Sequence, residues 1–145
     1  MAQDCAQALA WNGKAAQQGN RQARRNLAVQ YLNGCGTAFD YPQALALLQQ
    51  AHRAGDKKSA SYLGIIYERG LGVAQDYAQA AAYYQQADQN NDITGQYRLA
   101  KLYEQGLGVP RDFARALYLK HTARQDHITA PASKPSATST DTAWA

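Results

Sequence analysis

Tyr62-Leu63-Gly64-Ile65-Ile66-Tyr67-Glu68-Arg69-Gly70-Leu71-Gly72-Val73-Ala74-Gln75-Asp76-Tyr77-Ala78-Gln79-Ala80 decides the fold, because much of this stretch recurs at a fixed distance on either side. Tyr31, Tyr67 and Tyr103 lie 36 residues apart, and the same interval separates Leu27, Leu63 and Leu99, Gly34, Gly70 and Gly106, and Gly36, Gly72 and Gly108. The half of the unit that opens at Asp76 occurs four times: Asp4, Asp40, Asp76 and Asp112 form one column, Ala8, Ala44, Ala80 and Ala116 another, and Ala15, Ala51, Ala87 and Ala123 a third. No insertion breaks the register, so the chain holds three and a half units of 36 residues. A period of this length marks an array in which each unit is one supersecondary element.

Each unit reads as a helical hairpin. Ser59, Leu63, Gly64 and Tyr67 follow one another at helical spacing, as do Gly95, Leu99, Ala100 and Tyr103, which gives a first helix with a single apolar stripe. Small residues at Ala28, Gly64 and Ala100 leave room for a neighbouring helix. Gly34, Gly70 and Gly106 then stand where a left-handed terminating residue is needed, which glycine supplies without steric cost. The repeated Asp opens a second helix, since its carboxylate accepts from free amides of the first turn and opposes the helix dipole. Gln7, Gln43 and Gln79 sit three positions on, the spacing of a capping box, and Pro42 falls where a missing amide hydrogen does little harm. Beyond the cap, Ala80, Tyr83, Tyr84 and Ala87 occupy one face.

A lone hairpin leaves one face uncovered, so the units must stack in sequence order. The expected architecture is all-α, a right-handed α-solenoid of antiparallel hairpins. Residues 1–20 form an N-terminal half repeat, residues 21–125 three full repeats of the same solenoid, and residues 126–145 a disordered tail too small and polar to bury a core. Composition agrees: of 145 residues, 46% are hydrophobic and 18% charged, with Ala, Gln, Leu and Tyr abundant and Phe scarce, a bias toward helix over strand.

The formal charge of +4 is spread along the chain. The tightest basic cluster, Arg21, Arg24 and Arg25, reads as a solvated helix face, because no groove-reading or base-stacking motif accompanies it; a nucleic-acid partner is not expected. No apolar run reaches the length of a membrane span, and Met1 to Asn20 lacks the basic start and apolar centre of a signal peptide. Met1-Ala2-Gln3-Asp4 also fits a start Met placed ahead of a mature exported chain.

Enzymatic readings fail on the residues. His52, His121 and His127 share no repeat column and no metal-site spacing, and the Gly-x-Gly pairs lack the Lys and flanking strand of a phosphate loop. Caps account for all four aspartates, which catalysis would not require in every unit. Tyr31, Tyr67, Tyr83, Tyr84 and Tyr103 occupy packing columns, leaving Tyr62, Tyr97 and Tyr118 as exposed contacts. No catalytic group, cofactor or metal is expected.

Through Tyr62 to Ala80, followed by Tyr83-Tyr84 and Ala87, the sequence resembles a Sel-one-like repeat, a relative of the tetratricopeptide repeats. The next unit matches nearly as well through Leu99, Ala100, Tyr103, Gly106-Leu107-Gly108-Val109, Asp112-Phe113 and Ala116, and the resemblance covers roughly residues 1–125. Cys35 and Thr37 replace the Leu and Val of Gly-Leu-Gly-Val, so a different hairpin turn is expected in the first unit. Asn12 and Lys120 replace the second aromatic of the Tyr-Tyr pair, a polar change expected at the ends of a stack.

The resemblance implies a non-enzymatic protein-binding module, an adaptor or a bacterial inhibitor of the immunity type. It further implies a concave face lined by the first helices, here offering Gln22, Arg25, Val29, Lys58, Ser61, Ile65, Arg69, Thr94, Tyr97 and Lys101. The alternatives are a structural subunit that self-associates through open ends, where Leu117 and Tyr118 lie, and a cell-wall-binding or hydrolytic protein. Stacking places Cys5 and Cys35 on the same end of neighbouring hairpins, where both a disulfide and two free thiols remain open readings. A bridge would imply an oxidising compartment, which tilts the expected location toward periplasmic or secreted over cytoplasmic.

Overall fold

The computed structural model describes residues 2–128, with side chains from 4 to 125. These residues form seven helices and no strand: α1 (Ala2–Gln17), α2 (Arg21–Asn33), α3 (Tyr41–Arg53), α4 (Ser59–Arg69), α5 (Tyr77–Gln89), α6 (Ile93–Gln105) and α7 (Phe113–Ile128). Helices α2/α3, α4/α5 and α6/α7 are the three hairpins, α1 packs on α2, and α3–α4 and α5–α6 join successive hairpins. Contact is therefore almost wholly between neighbours in sequence, apart from α4 against α6, as a stack of repeats requires. The tail expected from residue 126 lies, beyond Ile128, outside the described residues.

The ends of the first helices follow the glycine column. Gly34, Gly70 and Gly106 adopt φ of 69°, 67° and 70° and donate their amides to Gln30, Ile66 and Leu102, while the next residue's amide reaches the same carbonyl in each case. This terminating motif uses the left-handed conformation that glycine takes freely. The second glycine has another reason. Gly36 and Gly72 also have positive φ, but a Cβ there would stand 2.7 Å from the carbonyl oxygen of Cys5 and from Cβ of Tyr41, at the start of the preceding unit's second helix. Each Gly-x-Gly loop thus presses on the unit before it.

Asp40, Asp76 and Asp112 accept the amides of Gln43, Gln79 and Arg115 at 3.0–3.1 Å, so three of the four aspartates cap as expected. Asp4 does not: α1 begins ahead of it, and the carboxylate sits inside the first turn. Nor is the capping box closed. The amides of Asp40, Asp76 and Asp112 are spent on the carbonyls of Tyr31, Tyr67 and Tyr103, at 3.1, 2.8 and 2.9 Å, which ties the start of each second helix to the end of the first and leaves the glutamine nothing to accept from. The same bond corrects the expectation for the first hairpin turn. Cys35 and Thr37 leave the turn unchanged, because two glycines and the Tyr–Asp backbone bond set it.

Cys5 and Cys35 are bonded as a disulfide with their Cα atoms 5.3 Å apart. Beside it, the buried Gln30 donates to the carbonyl of Cys5 at 3.2 Å and accepts from Asn12 at 3.0 Å, so α1 is held to α2 by two hydrogen bonds and to the loop after α2 by a covalent bond. Leu27, Leu63, Leu99, Ala28, Ala100, Ala44, Ala80 and Ala116 are all buried, the apolar columns made physical. A side chain at Gly64 would overlap the ring of the fully buried Tyr84, so this glycine is a packing requirement.

Polar groups in the paired aromatic column find hydrogen-bond partners. The Tyr84 hydroxyl donates to Glu68, and one repeat later Lys120 donates to Glu104 at 2.8 Å. One repeat earlier the equivalent positions are Leu48, buried, and Leu32, packed against the same cluster. The same pair of positions thus carries a hydroxyl–carboxylate bond in one hairpin, an ion pair in the next and two apolar core residues in the first. Asn12 and Lys120, on the first and last of the described helices, have Gln30 and Glu104 as their partners.

Candidate protein-binding face

Residues three or four apart on a helix share a face, so the first helices carry three stripes: Gln22, Arg25 and Val29 on α2, Ser61, Ile65 and Arg69 on α4, and Thr94, Tyr97 and Lys101 on α6. Helices α4 and α6, which carry the last two stripes, are in contact. Tyr97 is 41% exposed, Arg69, Thr94 and Lys101 are exposed, and Ile65 is half-buried against the core. Arg69 and Lys101 have no ion-pair partner among the described residues.

The α2 stripe is joined to Lys58 by a cleft that Gln22, Arg25 and Lys58 all line, and Val29 is half-buried. Two members of the expected set are committed elsewhere. Ser61 is buried, with its hydroxyl donating to the carbonyl of Lys58 at 3.1 Å. Arg25 donates through Nε to Oδ2 of Asp56 at 2.8 Å, with side chains only 14% and 5% exposed, and Ser59 donates to the same oxygen at 2.7 Å. Sequence reasoning missed this site. Its signal was the column Asn20, Asp56 and Asp92, of which Asn20 and Asp92 cap α2 and α6.

Of the three tyrosines expected to be exposed, Tyr97 and Tyr118 are, whereas Tyr62 packs against the core. Burial, and secondarily the bond to Glu68, raises the Tyr84 pKa; Tyr83, stacked on Tyr67 at 5.8 Å between centroids, is raised by burial and then by Tyr67. Both rings stay neutral at physiological pH. His52 meets the edge of Tyr83 at 6.0 Å, His121 lies 3.4 Å from Gln125, and the side chain of His127 lies outside the described residues. No group of His, Cys, Asp and Glu suited to a metal occurs among the described residues, and no helix there is long and apolar enough to cross a membrane.

Hairpins in an unbroken stack, with their exposed groups spread over helix faces, define an α-helical repeat solenoid. The sequence pattern of the Sel1 repeat matches residues 1–20, 21–56, 57–91 and 93–119, and the chain belongs to the Sel1 repeat family. Members of that family are typically protein-interaction modules and generally non-enzymatic. Among solved structures, a Sel1 repeat protein from Oxalobacter formigenes superposes with a TM-score of 0.80 at 30% identity, over 83% of this chain and 48% of that one. A protective antigen of uropathogenic Escherichia coli with an SLR fold gives 0.75 at 30% identity, over 83% of this chain and 26% of that one. Cysteine rich protein B of Helicobacter pylori gives 0.65 at 22% identity, over 86% and 90%, and shares the fold. This chain spans about half the length of the first of these and about a quarter of the second. No curated protein matches it.

Proposed function

We propose that this chain is a non-enzymatic binding module that holds a partner protein on the adjoining faces of α4 and α6, an adaptor or an inhibitor of the immunity type. The observation that carries the reading is the strip of Ile65, Arg69, Tyr97 and Lys101. An exposed tyrosine and a half-buried isoleucine supply anchor area at low entropic cost, and two unpaired cations select for acidic rim residues on the partner. Gln22, Val29, Lys58 and Thr94 extend the surface. The disulfide suits an oxidising compartment, which favours a periplasmic or secreted setting.

Arg25 is unsuitable as a test of binding, because its reversal would strand Asp56. The informative variant is Arg69→Glu/Lys101→Glu, both exposed. Affinity capture from the cells that make the protein, read by quantitative mass spectrometry, is expected to recover a partner with the natural sequence and to lose it with the double reversal. Equal recovery by both proteins would remove the α4–α6 face from the account.

A further inference from the structure

A second surface lies where the second helix of one unit returns to the first helix of the next. Three clefts of about 260, 310 and 400 Å³ follow this edge, and Lys57 lines all of them. In the first, Arg21, Arg25, Lys57 and Lys58 surround one acid, Asp56, and Arg25 already neutralises it. Lys57 and Lys58 are exposed and have no ion-pair partner among the described residues. Arg21 gives one donor to the carbonyl of Ala54 at 2.8 Å, which leaves the rest of its five N–H groups free. The amino ends of α2, α4 and α6 lie along the same edge; Asn20 and Asp92 cap the first and the last, whereas α4 has no side-chain cap and its end adds positive potential.

We propose that this loop edge binds an extended acidic segment of a partner protein, with carboxylates at Arg21, Lys57 and Lys58 and an uncharged residue over Ile93. Repulsion from Asp92, which lines the cleft at the α6 end, sets that polarity. Asn91 stands in the same cleft with an amide able to pair with an extended backbone. A protein ligand is favoured over a nucleic acid because no Phe, Tyr or Trp lines any of the three clefts, and single strands are held by stacking on such rings. The edge meets the surface proposed above at Gln22 and Lys58, but Arg21 and Lys57 belong to the edge alone, and neither Arg69 nor Lys101 lines any of its clefts, so the two readings are tested by different residues.

The test is fluorescence anisotropy with labelled octaglutamate, octaglutamine and an oligouridine of matched length, on the full chain. Octaglutamate is expected to bind, more weakly as salt is raised. The variant Arg21→Glu/Lys57→Glu should lower its affinity about tenfold or more, as expected when attractive charges become repulsive. Arg21→Lys/Lys57→Arg should retain binding, and Arg69→Glu/Lys101→Glu should leave it within about twofold, since neither residue lines any of the three clefts. Matched melting temperatures would establish that each variant is folded. The proposal is overturned if octaglutamate binds no better than octaglutamine, if the α4–α6 reversal costs as much as the edge reversal, or if oligouridine binds more tightly than octaglutamate.

Discussion

Arg25 satisfies a buried carboxylate, so replacing it acts on stability before it acts on any partner. Arg25→Ala leaves Asp56 with Ser59 as its only side-chain donor and is expected to cost about 3–5 kcal/mol, read as a lowered midpoint in urea unfolding. Lys120→Met removes a half-exposed pair with Glu104 and should cost under about 1 kcal/mol by the same measurement. Tyr84 gives a pH signature. Its folded pKa is raised above the ordinary 10.0, so its stabilisation is full below pH 10 and is lost as pH rises beyond, where the unfolded chain releases the proton and the buried ring resists. Unfolding midpoints measured across that range should fall less steeply for Tyr84→Phe than for the natural sequence. A slope identical in both would mean that Tyr84 is not the group responsible. None of these pairings could be read from the sequence, because Arg25 and Asp56 are 31 positions apart and meet only where α2 packs against the loop between α3 and α4. Ser61 illustrates the same limit: its column also holds Arg25 and the exposed Tyr97, and the smallest of the three side chains is covered by its surroundings.

At the scale of the element, the helix ends were the most legible feature. Glycine at 34, 70 and 106 and aspartate at 40, 76 and 112 act through local backbone chemistry, which a sequence states directly. The second glycine of each pair was legible as a column but not in its cause, since its close approach is to a helix about thirty residues earlier. Helix α1 has no hairpin mate among the described residues, and its attachment leans on the Cys5–Cys35 bridge, two residues 30 positions apart. Loop-closure entropy for a separation of that size makes the bridge worth about 3–4 kcal/mol. Cys5→Ser/Cys35→Ser is therefore expected to lower the melting temperature and to raise amide exchange in α1 first, with α4 to α6 little changed. Uniform loss of protection along the chain would contradict so local a role.

Across the whole molecule, neighbouring hairpins carry the contacts, and the polar networks run between them as well: Arg98 on α6 reaches Glu68 on α4 at 3.4 Å, which in turn accepts from Tyr84 on α5. In a stack so connected the first helices α4 and α6 touch, which is the contact on which the proposed binding face rests. The period of 36 made the solenoid readable; which side chains remain free on it was settled by pairing and burial, as Arg25 and Ser61 demonstrate. The central claim, that a partner lies on α4 and α6, is tested most directly by hydroxyl-radical footprinting of the captured complex against the free protein. Tyr97 and Ile65 should become protected while Trp11 and Tyr118, both highly exposed, stay labelled. Continued labelling of Tyr97, with protection moving to Trp11 or Tyr118, would contradict the account.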